Sequence, residues 1–331
     1  MINLNEFDYY LPKELIAQKP AKPRDSARLL VVRENELEHR IFKEIDEYFK
    51  EGDVLVLNNT KVMPNKLSGK KSTGAVANII IEGKEDGLYR ARVNTHRPKP
   101  GVVLEFPPGL KAEIKYRKGD VFWLAFNKSL EKVLNTHGEL PVPYYVKEPL
   151  QKKADYQTEF ASSPGSLAAP TSGLHFTKRQ LRQLEKKGVK IVYVTLHISF
   201  GTFRKINGAV EDHKMDEESF IISPEAAEII NNRKNRLIVC GTTSFKALES
   251  ASDQNGLVRP YNSTSKLFIY PGYKFKTKPD MMITNFHLPK STLILFVSAY
   301  FGKEMVLNAY KQAVEKKYRF FSFGDATLFI K

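Results

Sequence analysis

RLIVCGTTSFKALES, Arg236–Ser250, sets an unbroken apolar run directly before a glycine and a set of hydroxyl residues able to open a helix. Apolar runs without polar alternation, closed by a turn signal, mark strands buried on both faces, and such strands belong to sheets covered by helices. The pattern recurs on either side. VKIVYVTLH (Val189–His197) follows a helix whose start is signalled by Thr177 with Gln180 at the third helical position and whose end is signalled by Gly188. PEAAEIINNRKN reads as the next helix, and MMITNFH (Met281–His287) as a strand running into HLPKST and another helix. Near the N-terminus a helical IFKEIDEYFK (Ile41–Lys50) precedes the apolar VLVLN (Val54–Asn58). Strands alternating with helices predict an α/β fold: a mostly parallel sheet with helices on both faces. The tail YRFFSFGDATLFI reads as an aromatic hairpin turning at Gly324–Asp325.

Between these parts the rhythm changes. ANIIIEG, GLYRARVN, GVVLEF, LKAEIKY and DVFWLAF are short runs separated by Gly, Pro, Asp and Lys. Strands of this length and spacing predict a small β-barrel or sandwich, with the barrel the expected form. The expected organisation is therefore a discontinuous α/β catalytic domain, 1–64 with 147–331, carrying an inserted β-barrel domain, 65–146.

The chain has 331 residues with 52 Lys and Arg against 37 Asp and Glu, a formal charge of +15. That excess points to a polyanionic partner, nucleic acid before membrane. Cys240 is the only cysteine, which excludes an internal disulfide and a cysteine metal site. The N-terminal stretch lacks the apolar core of a signal peptide, and STLILFVSAYF is too short to span a bilayer. A cytoplasmic protein with no membrane partner is expected.

Ligands of open α/β sheets bind beyond the carboxyl ends of the strands. There this sequence places LHISFGTF with His197, Gly201 and Thr202, GTTS with Gly241, Thr242 and Thr243, and HLPKST with His287, Lys290, Ser291 and Thr292. Hydroxyl residues at helix starts are often plain caps. Several such loops on one sheet edge favour a pocket whose free backbone N–H groups receive a carboxylate, phosphate or sugar. In PTSGLHFT, Thr171, Ser172 and Gly173 lead to His175, a candidate for acid–base work that also fits a satisfied structural role. The seven histidines include no closely spaced pair, so no metal site is expected. No two glycines are separated by one residue, which excludes a GxGxxG loop. Gly69 and Gly74 have P-loop spacing, but Ala75 and Val76 stand where Lys and Ser or Thr are required. A GxSxG elbow is absent. Dehydrogenases, P-loop enzymes and serine hydrolases of those kinds are thereby disfavoured. For RNA contact the candidates are Arg90, Arg92 and Arg97 in the barrel, with Tyr89 as a stacking ring, and Lys178, Arg179 and Arg182 on the capped helix.

The chain resembles the S-adenosylmethionine:tRNA ribosyltransferase-isomerase family of queuosine biosynthesis along nearly its whole length. The resemblance is carried by RDSARLL (Arg24–Leu30), GDVLVLNNTKVMPNKL (Gly52–Leu67), GELPVPYYV (Gly138–Val146) and YQTEFA (Tyr156–Ala161). It continues through PGSLAAPTSGLHFT (Pro164–Thr177), VTLHISFGTF (Val194–Phe203), DHKM (Asp212–Met215) and CGTTSFKALES (Cys240–Ser250). FIYPGYKFK (Phe268–Lys276), TNFHLPKSTLILFVSAYFG (Thr284–Gly302) and YRFFSFGDATL (Tyr318–Leu328) complete it. The resemblance implies transfer of the ribosyl moiety of S-adenosylmethionine to 7-aminomethyl-7-deazaguanine at the tRNA wobble position, giving epoxyqueuosine with release of adenine and methionine. It implies S-adenosylmethionine and tRNA as partners and no further cofactor; a monomer is expected. The sequence departs from the family pattern at Asn59 and Lys61, where NDTRV is usual, and at Asn78 and Lys266, where acidic residues are usual.

That chemistry needs a base at the ribose carbon beside the sulfonium, an acid for the departing adenine, and contacts to the substrate amine. The candidates are His175 or His197 as base or acid, with Asp325 at the amine or base edge. Thr171, Ser172, Thr242 and Thr243 would contact ribose or methionine, and Lys290 a carboxylate or phosphate. Methyl transfer to RNA and non-catalytic RNA binding are the alternatives: the first yields S-adenosylhomocysteine, the second no uptake of the donor.

Overall fold

The computed structural model describes residues 2–34, 36–203 and 206–331. They form two compact units, 1–61 with 143–331, and 62–142.

The first unit begins with β1 (Arg28–Arg33), β2 (Glu36–Ile41) and β3 (Val54–Asn58), after which β4 (Thr60–Val62) leads out of it. The second unit contains β5 (Lys66–Lys71), β6 (Val76–Glu85), β7 (Leu88–Thr95), β8 (Val103–Phe106), β9 (Leu110–Lys118) and β10 (Val121–Phe126). They close into a barrel in the order β10-β7-β6-β5-β8-β9. Alternate residues such as Ala77, Ile79 and Ile81, or Leu110, Ala112 and Ile114, point inward, as a period of two requires. Helix α1 (Leu130–His137) adds Leu130 and Val133 to this core. Gly69 is dictated by packing: a Cβ there would lie 2.2 Å from the Glu105 carbonyl oxygen.

The first unit resumes with β11 (Ser163–Ser166), α2 (Lys178–Lys186), β12 (Lys190–Leu196), β13 (Glu218–Ile222) and α3 (Pro224–Asn231). There follow β14 (Leu237–Cys240), α4 (Gly241–Ala251), β15 (Tyr261–Ser265), β16 (Met281–Asn285), α5 (Thr292–Phe301), α6 (Lys303–Glu315) and β17 (Ala326–Ile330). Its large sheet has the order β15-β13-β12-β3-β14-β16-β17-β1-β2. β12, β3, β14 and β16 are parallel neighbours, as are β17 and β1. The pairs β15/β13, β13/β12, β16/β17 and β1/β2 are antiparallel. The sheet is therefore mixed, which corrects the mostly parallel sheet expected from the sequence. The unbroken apolar strands form its parallel centre, whereas ELEHRI, ESFII and YNSTS, each carrying polar residues, add antiparallel edges.

Both faces of the sheet are buried. Along β3, Val54 and Val56 enter one core, while Leu55 and Leu57 enter the other. Helices α3–α6 feed the first core; α2 and a 3-10 turn at Phe42–Tyr48 feed the second. The cap foreseen for α2 is present, with Gln180 N–H donating to Thr177 Oγ1 at 3.2 Å and Gly188 at φ +86°.

The C-terminal hairpin does not form. Only β17 is a strand, inserted between β16 and β1. The apparent turn is claimed by other contacts: Asp325 accepts from the Arg319 and Arg28 amides, and Gly324 packs where a Cβ would lie 2.5 Å from the Arg319 carbonyl oxygen.

Candidate functional site

Because β12, β3, β14 and β16 are parallel neighbours, their carboxyl ends share one sheet edge. A cavity of ≈ 420 Å³ opens there. Its polar wall comprises Thr171, Ser172, Thr202, Gly241, Thr242, Thr243, Asn285, His287, Lys290, Ser291 and Ser322. Its apolar wall includes Tyr144, Tyr145, Ile198, Phe286, Leu293 and Phe321. The volume lies within the range of small-molecule sites, about 300–1,000 Å³.

Two asparagines that close strands hold this edge together. Asn58, fully buried at the end of β3, donates from Nδ2 to the Leu196 carbonyl at 3.0 Å and to Thr243 Oγ1 at 3.2 Å. Its Oδ1 accepts from the Thr60 and Leu196 amides, both at 3.1 Å. Asn285, at the end of β16, donates to the Phe321 carbonyl at 2.9 Å and meets His175 Nε2 at 3.3 Å through Oδ1. Sequence reasoning passed over both, although each ends an apolar run in a polar residue. Tyr145 and Ser322, joined at 2.7 Å, also escaped it, since they arrive from loops distant in the chain.

Each hydroxyl loop has a local cause. Gly241 turns β14 into α4 at φ +85°, a left-handed geometry that favours glycine, and so presents Thr242 and Thr243 at the helix start. Ser291 caps α5 by accepting the Ile294 amide at 3.3 Å. Lys290 sits at φ +55° and pairs with Asp8 at 2.8 Å.

His287 is the histidine of the cavity wall. Tyr310 Oη accepts the His287 backbone N–H at 3.0 Å and lies 3.0 Å from Nδ1, while Nε2 lies 3.2 Å from Thr284 Oγ1. Burial lowers its pKa to about 3, so the ring is neutral. With the Tyr310 hydroxyl donating a hydrogen bond to Nδ1, the single proton of the neutral ring sits on Nε2, which donates to Thr284 Oγ1.

The other sequence candidates divide. Thr171, Ser172, Thr202, Gly241, Thr242, Thr243, His287 and Lys290 are brought together at the cavity; His175, His197, Asp325 and Gly173 are not among its lining residues. His175 ends a 3-10 turn, Thr171–His175, with its ring 5.0 Å from that of Phe42, and burial lowers its pKa to about 4. It reaches the wall through Asn285. His197 bonds Thr60 Oγ1 at 2.7 Å beside Gly165, and partial burial lowers its pKa. Gly173 leaves room for Phe160, whose ring would stand 2.7 Å from a Cβ. Asp325 is spent on Arg319 and the Arg28 amide.

The basic candidates lie in different units. In the barrel Arg92 and Arg90 share Glu82 at 2.7 and 3.7 Å, Arg97 occupies a turn at φ +48°, and Tyr89 packs edge-on against Phe126. On α2, Lys178, Arg179 and Arg182 are exposed, and Arg179 pairs with Asp25 at 3.0 Å. Of the family departures, Asn59 still accepts from Thr195 Oγ1 at 2.7 Å, so its acceptor is retained. Lys266 lies 3.8 Å from Glu217 on the surface.

The two deeply buried imidazoles have a consequence for stability. Folded values near 4 and 3 against an ordinary 6.5 mean that, between those limits, the unfolded chain binds protons the folded chain refuses. Stability from this source is complete above the ordinary value and falls as pH drops toward the folded values. The loss is about 2 kcal/mol per histidine between pH 7 and pH 5. Urea unfolding at those two pH values should show His175→Gln and His287→Gln each removing a loss of that order. An unchanged pH slope in both variants would contradict neutral burial.

The Queuosine biosynthesis protein family model matches residues 4–329. The S-adenosylmethionine:tRNA ribosyltransferase-isomerase of Thermoanaerobacter sp. (strain X514) is 47% identical over 98% of this chain and 99% of its own. The enzyme of the same name from Clostridium kluyveri is 43% identical over 100% of both chains. The crystal structure of S-adenosylmethionine tRNA ribosyltransferase from Thermotoga maritima superposes with a TM-score of 0.56 at 34% identity, covering 98% of this chain and 100% of that one. With matches of this extent on top of the fold and the cavity, the chain belongs to the queuosine biosynthesis protein family, in which the Thermoanaerobacter and Clostridium relatives carry the name S-adenosylmethionine:tRNA ribosyltransferase-isomerase.

Proposed function

We propose that this chain transfers and isomerises the ribosyl moiety of S-adenosylmethionine onto 7-aminomethyl-7-deazaguanine at the tRNA wobble position. Epoxyqueuosine forms, and adenine and methionine leave. In the donor the carbon–sulfur bond, the glycosidic bond to adenine and a C–H bond beside the sulfonium break. The sugar gains a ring-closing carbon–carbon bond and a bond to the acceptor amine, which gives up a proton, while adenine leaves with a proton of its own. No further cofactor is drawn on in this reading. The observation that carries it is the ≈ 420 Å³ cavity at the carboxyl edge of the parallel strands, with a hydroxyl wall and an aromatic wall. Aromatic side chains such as Tyr145 and Phe321 suit a purine, and hydroxyls at a helix start suit ribose.

In this reading Thr171, Ser172, Thr242 and Thr243 hold the ribose. His287, neutral and held at both ring nitrogens, orders the wall. His175 is a positioning residue acting through Asn285, and His197 one acting through Thr60. Asp325 orders the segment before β17, which carries Phe321 and Ser322 to the cavity. Lys290 and the basic residues Arg90, Arg92, Arg97, Lys178, Arg179 and Arg182 contact RNA phosphates, exchanging the carboxylates that pair several of them for the nucleic-acid backbone. The catalytic unit is the discontinuous one, and the protein acts as a monomer in the cytoplasm. No helix among the described residues is long and apolar enough to cross a membrane.

The test is incubation with S-adenosylmethionine and tRNA bearing the aminomethyl base, followed by mass spectrometry of anticodon nucleosides. Epoxyqueuosine with equal amounts of adenine and methionine is expected. S-adenosylhomocysteine with a methylated nucleoside would replace the reading by methyl transfer.

A further inference from the structure

A smaller pocket of ≈ 30 Å³ adjoins the main cavity, and Thr202, Thr242 and Thr243 line both. Its own walls bring Glu218, Lys246 and Thr292 together with Phe268 and Phe296. Lys246 and Glu218 are buried and joined at 2.9 Å. Buried charges are costly unless paired and fully hydrogen-bonded. Glu218 meets that condition: Oε1 accepts the Ser199 amide at 2.9 Å, Ser199 Oγ at 3.3 Å and Thr202 Oγ1 at 3.0 Å, and Oε2 accepts Lys246.

Lys246 does not meet it. An ammonium carries three donors, and among the described residues its hydrogen bond is to Glu218. Thr292, buried at the start of α5, has a hydroxyl with no hydrogen-bond partner. One wall of this pocket thus offers donors that lack an acceptor. The first turns of α4 and α5 add positive ends of helix dipoles. The missing partner is a compact anion with several acceptor lone pairs, and the flanking Phe268 and Phe296 suit an aliphatic chain attached to it.

We propose that this pocket holds the α-carboxylate of the donor's amino-acid arm, with Lys246 Nζ and Thr292 Oγ1 donating to it. Ribose and adenine then occupy the main cavity on the far side of Thr242 and Thr243. The assignment rests on S-adenosylmethionine being the donor.

The test compares S-adenosylmethionine with its decarboxylated form, which lacks only that carboxylate, by calorimetry on the full chain. Charge-assisted hydrogen bonds lead to an expected preference of the wild type for S-adenosylmethionine of about 30-fold. Thr292→Val, which removes an unpaired hydroxyl and leaves the fold intact, should reduce that preference by about fivefold. Lys246→Met should bring it near parity. Should orphaning Glu218 prevent that variant from folding, the paired Lys246→Met/Glu218→Gln replaces it. Full retention of the preference in Thr292→Val and in the lysine variant would overturn the assignment, as would equal binding of the two compounds by the wild type. Failure of the wild type to bind either compound would instead overturn the donor reading itself.

Discussion

Replacing Asn58 by aspartate is expected to slow ribosyl transfer by about 100-fold and to reduce folding stability by about 3 kcal/mol. The substitution preserves size and shape, and exchanges two N–H donors for an ionisable oxygen. Those donors hold the Leu196 carbonyl and Thr243 Oγ1, so they join the ends of β3 and β12 to the start of α4. Aspartate would set a carboxylate against the Leu196 carbonyl in a site that is 1% exposed. It must then take up a proton or push the strand end away, and either response costs stability. Thr243 matters most for activity. Its oxygen accepts from Asn58, which leaves its own proton for a ligand; without Asn58 that orientation is lost. Displacement of a substrate contact by about 1 Å can cost two orders of magnitude in rate. Single-turnover transfer together with urea unfolding tests this, and a variant with both wild-type rate and wild-type stability would contradict it.

Asp325→Ala should lower stability by at least about 3 kcal/mol and cooperatively loosen the C-terminal strand. The carboxylate is 1% exposed and accepts from the Arg28 amide at 3.1 Å and the Arg319 amide at 2.8 Å, with the Arg319 guanidinium at 3.3 Å. Alanine leaves two backbone N–H groups and one cation short of an acceptor. Because β17 lies between β16 and β1, the damage would spread to the middle of the sheet. Asp325→Asn keeps an acceptor and should lose roughly half as much. Hydrogen exchange of the β17 amides checks this: wild-type protection in Asp325→Ala would contradict the role.

Local patterns in the sequence carry much of this molecule. The unbroken runs at Val54–Asn58 and Leu237–Cys240 became central strands because only a sheet covered on both faces can bury every residue. The barrel was readable from alternation, and α2 from Thr177, Gln180 and Gly188. The antiparallel edges were not: residues such as those of YNSTS are mostly exposed and are strands only because a neighbour pairs with them. The insertion of β17 is a contact between chain ends, and no local pattern encodes it. The same division holds at the cavity. Hydroxyl loops following apolar strands were legible because a parallel sheet aligns their ends. His175 follows Gly173 in a loop leading to a helix start, which left both an acid–base and a structural role open; the 3-10 turn carries it inward onto Phe42. Asn58 and Asn285 act by joining elements distant in the chain, so their partners could not be named from the sequence.

The central claim is that the donor reacts in the cavity at the carboxyl ends of β12, β14 and β16. Thr171 lines that cavity, is not fully buried, and can be replaced by tryptophan to fill the space. The decisive measurement is single-turnover transfer of ribose-labelled S-adenosylmethionine to precursor tRNA by Thr171→Trp, with its melting temperature as a control. The account predicts a wild-type melting temperature with no label in the anticodon nucleoside. Label appearing there at the wild-type rate would place the reaction elsewhere.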